Sequence, residues 1–346
     1  MSHRWNTGKR VHQSKGGFVL FKICMVGCGE HASRVHGPSL RRYAGEEAGV
    51  ELAACCDIDR AAAERFAAAF GFARCDTDYR EMLRREKPDA AVVVVPVPLS
   101  CAIACDVMRM GVPLMLEKPP GANAEEARRL VQVQQETGVP HRVAFNRRYM
   151  PQLRKVEDLM RQCGRPPEYI HYTMYRVRRF EEDFSTTAVH AIDAVRYLAG
   201  ADYAQADFSY RAIAGQKAVD IFMDARMENG CIARIDICPG AGLLAETLTV
   251  SANGSTFFAA LPTGERWLLP AGVSRFEAGK RTEWTMEALG TGDTFYEAGG
   301  FYAEGATFFN ELRAGNKECL MTDFASSVQP VEVSQYIARR DTAYRK

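Results

Sequence analysis

The chain has 346 residues, 47% of them apolar, with 44 Lys+Arg against 43 Asp+Glu. That length suggests two domains with enough apolar content for real cores, and the near-balance of charge excludes a strong field toward nucleic acid or an anionic membrane. No apolar run is long enough to span a bilayer. The 11 cysteines, odd in number and scattered, read as reduced and mostly buried thiols of a cytoplasmic protein rather than as a zinc site.

Residues 1–20 are mostly basic and polar, without the apolar core of a signal peptide, and predict a disordered leader. Residues 21–32, FKICMVGCGEHA, predict a buried strand, a glycine turn and the start of a helix reaching Tyr43. Gly27, Gly29 and Ala32 fill a G-x-G-x-x-A pattern. Gly27 permits the tight turn, Gly29 lets a pyrophosphate approach the backbone, and Ala32 lets the helix pack closely on the strand. The helix N-terminus would offer N–H groups to an anion. A plain glycine turn would use the same residues, so context decides. A second strand, VELAACCD, ends on Asp57, where a carboxylate would meet the ribose hydroxyls of a dinucleotide. That acid predicts NAD in preference to NADP, although Arg60, three residues on, could reach a 2′-phosphate.

An Ala-rich helix then runs to Gly71, followed by a short strand and a helix over 79–86. Residues 90–96, AAVVVVP, are a β-branched run without alternation, as expected of a strand covered on both faces. A helix over 99–109 leads to the strand VPLMLEKPP, which ends on Glu117 and Lys118. Asn123 caps a helix through Gln135 that Gly138 closes, and residues 141–146 form the next strand. This alternation predicts an α/β domain, a doubly wound parallel Rossmann sheet over residues 21–146.

The rhythm changes in residues 147–346, expected to form a substrate and oligomerisation domain. A helix over 151–163 precedes a long strand, EYIHYTMYRVRRF, on which Arg176 and Arg178 would share one face and Tyr175 the other. The segment TTAVHAIDAVRYLAG reads as an amphipathic helix closed by Gly200. From Tyr203 to about Trp284 apolar and polar residues alternate, with Asn229-Gly230 and Asn253-Gly254 as turns. Such strands predict an antiparallel sheet with one face on a core and the other free for a substrate or a second subunit. Two helices follow, over 295–313 and 323–339.

Lys118 ends a parallel strand, where ligands of open α/β sheets bind. A lysine beside a nicotinamide cation would have a lowered pKa and be suited to proton exchange with a hydroxyl. From position alone a surface lysine is an equal reading. Arg147 follows the strand over 141–146 and could hold a substrate or form a salt bridge between domains. His36 reads as a packing residue of the first helix, and the histidine spacings predict no metal site.

Six segments together, VGCGEHA, the strand-end Asp57, VVVVPVP, EKPPGANAEEARRL, AFNRRYMP and VHAIDAVRYLAG, resemble the Gfo/Idh/MocA family of oxidoreductases over most of the chain from residue 21. The resemblance implies a Rossmann domain and a C-terminal α+β domain with a large, open, mostly antiparallel sheet. It implies NAD(P)-dependent hydride transfer at a hydroxyl carbon of a sugar, cyclitol or related polyhydroxylated small molecule, in a homodimer or homotetramer joined through that sheet. The family's E-K-P lysine falls on Lys118 and its catalytic histidine on His190. Arg147, Tyr175 and Asp193 are expected at the substrate. Gly27, Gly29, Glu30, His31, Asp57, Pro96, Glu117 and Lys118 are expected at the cofactor. His190 could instead hold only a structural bond. Two positions depart from the pattern: Thr186 stands where many members carry an aspartate four residues before the histidine, and Ser100 where several carry a histidine. They keep two alternatives open, a redox-neutral NAD-dependent glycosidase and a non-catalytic dinucleotide-binding sensor.

Overall fold

The computed structural model of the chain describes residues 20–264, 269–316 and 323–346. The expected leader, apart from Leu20, lies outside the described residues. Six parallel strands, β1 (Phe21–Val26), β2 (Val50–Cys56), β3 (Arg74–Asp76), β4 (Ala90–Val93), β5 (Leu114–Glu117) and β6 (His141–Ala144), lie in the order β3-β2-β1-β4-β5-β6. Helices α1 (Gly37–Glu46), α2 (Arg60–Phe70), α3 (Tyr79–Glu86), α4 (Val97–Arg109) and α5 (Ala124–Thr137) connect them. This is the doubly wound order, and its switch point between β1 and β4 opens a crevice at the carboxyl ends of the strands. The Ala-Val-rich β4 is buried throughout, as its lack of alternation requires. Asp59, Asp78 and Asn123 cap α2, α3 and α5 by accepting backbone N–H bonds.

Several boundaries differ from the sequence expectation, and the helix expected over 295–313 is two, Phe295–Ala298 and Phe301–Arg313. β4 stops at Val93, because Pro96 and Pro98 lack N–H donors and favour the start of α4 at Val97. β6 stops at Ala144, and Asn146–Tyr149 form a 3₁₀ turn. The first helix opens with a π-helical segment, Ala32–His36, before α1.

The second sheet has nine strands: β7 (Tyr169–Tyr175), β8 (Tyr203–Ala212), β9 (Val219–Met227), β10 (Ile232–Cys238), β11 (Ala245–Ala252), β12 (Ser255–Leu261), β13 (Gly272–Glu277), β14 (Lys280–Thr285) and β15 (Ala343–Arg345). Their order is β14-β13-β12-β11-β7-β10-β9-β8-β15, antiparallel except for the parallel pair β7 and β10. Asn253 and Gly254 take φ of 47° and 77°, the left-handed pair that a tight hairpin turn demands between β11 and β12.

Helices α6 (Pro151–Cys163), α7 (Ser185–Ala199), α8 (Phe295–Ala298), α9 (Phe301–Arg313) and α10 (Phe324–Arg339) complete the chain. Leu153 of α6, Ile192 of α7 and Val333 of α10 join Tyr172, Val250 and Phe257 of the second sheet in one core. α9 returns to the first sheet, where Phe308 and Phe309 pack with Ile23 and Met25. The other face of the second sheet leaves Ile232, Phe258 and Phe276 exposed by 40%, 47% and 37%. β7 ends at Tyr175, and Arg178 has a φ of 52°, so Arg176 and Arg178 do not share a strand face as the alternation predicted. Among the described residues no helix is long and apolar enough to cross a membrane.

Candidate functional site

At the carboxyl end of β1 the chain turns on Gly27, whose φ is +93°. A Cβ there would lie 1.9 Å from the carbonyl oxygen of Val94, so no other residue fits. At Gly29 a Cβ would meet no protein atom within 4 Å, which leaves the backbone open to a ligand. Asp57 braces this turn: Oδ2 accepts the N–H of Cys28 at 2.8 Å and Oδ1 that of Asp59 at 3.0 Å. Glu30 and Pro96 are exposed on the same strand-end edge. Ile58, 92% exposed beside Asp57, is an apolar residue with no structural work to do there, and a one-residue signal of that kind was missed in the sequence.

Glu117 ends β5 beneath the turn. Its Oε1 is contacted by Nε2 of both His31 and His36, each at 2.9 Å. Burial would raise the pKa of Glu117, but the charge and hydrogen bond of His31 and the bond from His36 outweigh it and hold the carboxyl well below the usual range. His36 therefore does more than pack in its helix. The three side chains keep their ligand-type atoms within 4.8 Å of one another, a grouping the sequence spacing could not show because Glu117 lies 81 residues beyond His36.

Lys118 is half-buried, and its Nζ donates to the carbonyl oxygen of Thr186 at 3.2 Å. Thr186 and His190 are one turn apart on α7, so this bond brings the amine to the helix face that carries the imidazole. Burial lowers the Lys118 pKa, Glu117 opposes the shift, and the charges of Arg147, Arg179 and Arg176 add to it. Burial also drives the pKa of His190 well below its ordinary value, with further lowering by Arg147, Lys118 and Arg176. The imidazole is therefore neutral, and its buried Nδ1 has no hydrogen-bond partner among the described residues. Ser100, by contrast, has structural bonds: its Oγ donates to Val97 O and accepts from Gly121 N.

Arg147 and Arg176 converge on one carboxylate. Arg147 gives Glu246 two bonds, of 3.1 Å from Nε and 2.6 Å from Nη2, while Arg176 Nη2 and the Tyr172 hydroxyl donate to the same group. Burial would raise the pKa of Glu246, but the two guanidinium charges and these bonds hold it well below its usual range. A cleft of about 280 Å³ lies beside this cluster, lined by Arg34, Arg147, Arg176, Arg179, Thr263 and Phe295 among others.

Two residues expected at the substrate sit elsewhere. Asp193 is fully buried on α7, with both oxygens taken by Arg148 at 3.0 and 2.6 Å, so it joins the helix to the turn after β6 rather than facing the cleft. Tyr175 alternates with the buried Tyr172 and Met174, which places it with His171 on the opposite face of the second sheet from the core helices.

A sequence model of the oxidoreductase family Gfo/Idh/MocA, described by its NAD-binding Rossmann fold, matches residues 21–145. Over these residues the chain is similar to the Gfo/Idh/MocA family. It is 27% identical over 195 residues to the rhizopine catabolism protein MocA of Rhizobium meliloti, covering 52% of this chain and 57% of that protein. It is 22% identical over 233 residues to an inositol 2-dehydrogenase of Corynebacterium glutamicum, covering 62% of this chain and 66% of the relative. The matches thus span just over half to about two thirds of these relatives' length. A dehydrogenase from Chromobacterium violaceum superposes with a TM-score of 0.80 over 93% of this chain and 95% of its own, at 19% identity, which shows a shared fold.

Proposed function

We propose that the protein is an NAD(P)-dependent oxidoreductase acting on a hydroxyl carbon of a sugar, cyclitol or related polyhydroxylated small molecule. The observation that carries this reading is the bond from Lys118 to Thr186, which brings the amine to the helix face of the neutral His190, whose buried Nδ1 has no partner among the described residues. The residues fit a dinucleotide: Gly29 leaves room beside the backbone, and Asp57 stands at the end of β2. Gly27, Gly29 and Glu30 would hold the pyrophosphate, Asp57 the ribose, and Ile58 and Pro96 the adenine side. When bound, the cofactor supplies the hydride acceptor. His190 takes the hydroxyl proton on its imidazole lone pair. Lys118 donates a hydrogen bond to the same oxygen and stabilises the negative charge that develops there. In the reverse direction the imidazolium returns the proton to the alkoxide.

NAD is preferred over NADP, because a 2′-phosphate would face Asp57 and Asp59. Arg60 is 62% exposed and lies 4.0 Å from Glu64, turned to its own helix. The inositol dehydrogenase relative supports a polyol substrate. The exposed Phe258 and Phe276, edge to face at 5.6 Å on the open sheet, support a homo-oligomer joined there, which light scattering would test against a monomer mass. The function itself is tested by nicotinamide absorbance with a panel of sugars, cyclitols and sugar acids. Net NAD turnover with one of them is expected. Glycoside cleavage without net turnover, or binding without chemistry, would refute it.

A further inference from the structure

Arg147, Arg176 and Glu246 form a cluster of two cations and one anion, exposed by only 8%, 6% and 0%. Arginine does not shed its proton, so the cluster carries a buried positive charge that no carboxylate among the described residues balances. Tyr172, its fourth member, stays a neutral donor because burial and Glu246 raise its pKa well above the usual value. No Asp or Glu lines the adjoining cleft among the described residues. At the rim Arg179 is paired with Glu181, and Arg34 lies 4.9 Å from the centre of the Phe295 ring. A second observation points into the same space. Thr263, only 4% exposed and part of the cleft wall, has a buried hydroxyl with no hydrogen-bond partner among the described residues. Buried charges are normally balanced and buried hydroxyls normally bonded, and here two guanidinium ions share one carboxylate and the Thr263 hydroxyl has no partner among the described residues.

Building on the oxidoreductase reading above, we propose that this cleft binds the negatively charged substituent, a carboxylate or a phosphate ester, of a polyhydroxylated substrate. Arg176 spends one bond on Tyr175 O and one on Glu246, which leaves N–H groups of its five for an oxyanion. Thr263 supplies a hydroxyl donor. The pyrophosphate is a different anion in a different place, since its turn belongs to β1 whereas Arg176 and Thr263 follow β7 and β12. A substituent anchored there would present the remaining hydroxyls toward Lys118 and His190. It would also offset the cationic field that lowers the pKa of both groups.

The test is calorimetric titration of the NADH-loaded protein, which binds without turning over, with D-glucuronate, D-glucose 6-phosphate and D-glucose at low and high salt. At least one charged sugar is expected to bind about tenfold or more tighter than glucose, as hydrogen bonds to charged groups allow, with the gap narrowing in salt. Arg176→Met, which leaves Arg147 and Glu246 as a balanced pair, should remove most of the gap. Thr263→Val should reduce it severalfold, and carries the test if Arg176→Met fails to fold. Whichever charged sugar binds tighter identifies the substituent. Equal binding of all three, or a gap unchanged in the folded variants, overturns the proposal. Hydride transfer is then read separately with NAD. Charged sugars that bind but are never oxidised would remove the oxidoreductase reading and leave the anion site standing. Oxidation of neutral polyols without preference for charge would do the reverse.

Discussion

Glu246→Gln isolates the ionic centre of the second sheet. The substitution keeps the side chain's shape but removes the charge that holds Arg147, Arg176 and Tyr172. Glu246 is 0% exposed, so water cannot take its place. Breaking a buried pair by removing one partner costs about 3–5 kcal/mol, and here two guanidinium ions lose their shared anion. The amide oxygen still accepts bonds, which argues for the middle of the range, about 4 kcal/mol. At about 2–4 °C per kcal/mol for a domain of this size, the melting transition should fall by roughly 8–16 °C. Calorimetry at neutral pH reads this directly. The pH dependence supplies a second check. The folded pKa of Glu246 lies below its unfolded value of about 4.3, so its stabilisation is fully present above that value and is lost as pH falls toward the folded pKa. The gap between wild type and variant should be constant from pH 6 to 8, in order-of-magnitude terms, and shrink below about pH 4. Adding Arg176→Met to the variant should restore part of the loss by removing one of the orphaned charges. A fall of less than about 1 kcal/mol, or a gap that does not change in acid, would refute the picture of one carboxylate balancing this cluster.

Lys118→Ala should leave NADH binding nearly intact and lower turnover by about 10²–10⁴-fold, and unchanged turnover would reject its role. His190→Ala should lose activity to a similar degree without melting earlier. Because the folded pKa of His190 lies well below its ordinary value, wild-type oxidation should hold its plateau below about pH 6.5, and a fall beginning at that pH would contradict a neutral buried imidazole. Thr186→Asp would set a carboxylate beside the Lys118 amine, so it should raise the pH optimum and favour neutral sugars over charged ones; a variant with unaltered substrate preference would show that position 186 does not face the substrate. Dissociation constants for NADH and NADPH should favour NADH in the wild type, and Asp57→Ala should narrow the difference; equal binding by the wild type would assign the site to Arg60 instead.

What could be read from the sequence divides by the range of the forces involved. Gly27 and the Asn253-Gly254 turn were legible because a positive φ is a local demand that few residues meet. The parallel first sheet was legible because each strand carries its own burial pattern. The end of β7 was not: Arg176 continues the alternation of the strand and its N–H still donates to Cys238 O, and only the positive φ of Arg178 shows where the chain turns away. β15 has three residues and pairs at the edge with β8, too short a segment for periodicity to register.

The site failed to show itself in the same way. Lys118 and His190 follow motifs, but their neutral tendency arises first from burial and then from neighbouring charges that include Arg147 and Arg176, and a motif measures neither. Arg147 looked equally suited to a substrate or to a salt bridge, and the structure shows the salt bridge. Its bonds to Glu246 are a salt bridge, yet that bridge is shared with Arg176, so fixing the fold leaves one charge over at the cleft. A carboxylate satisfied by two arginines cannot be told from one satisfied by one until distances are known. Charge counts along a chain sum to near neutrality, while the energetics of a buried cluster depend on a local imbalance of a single charge.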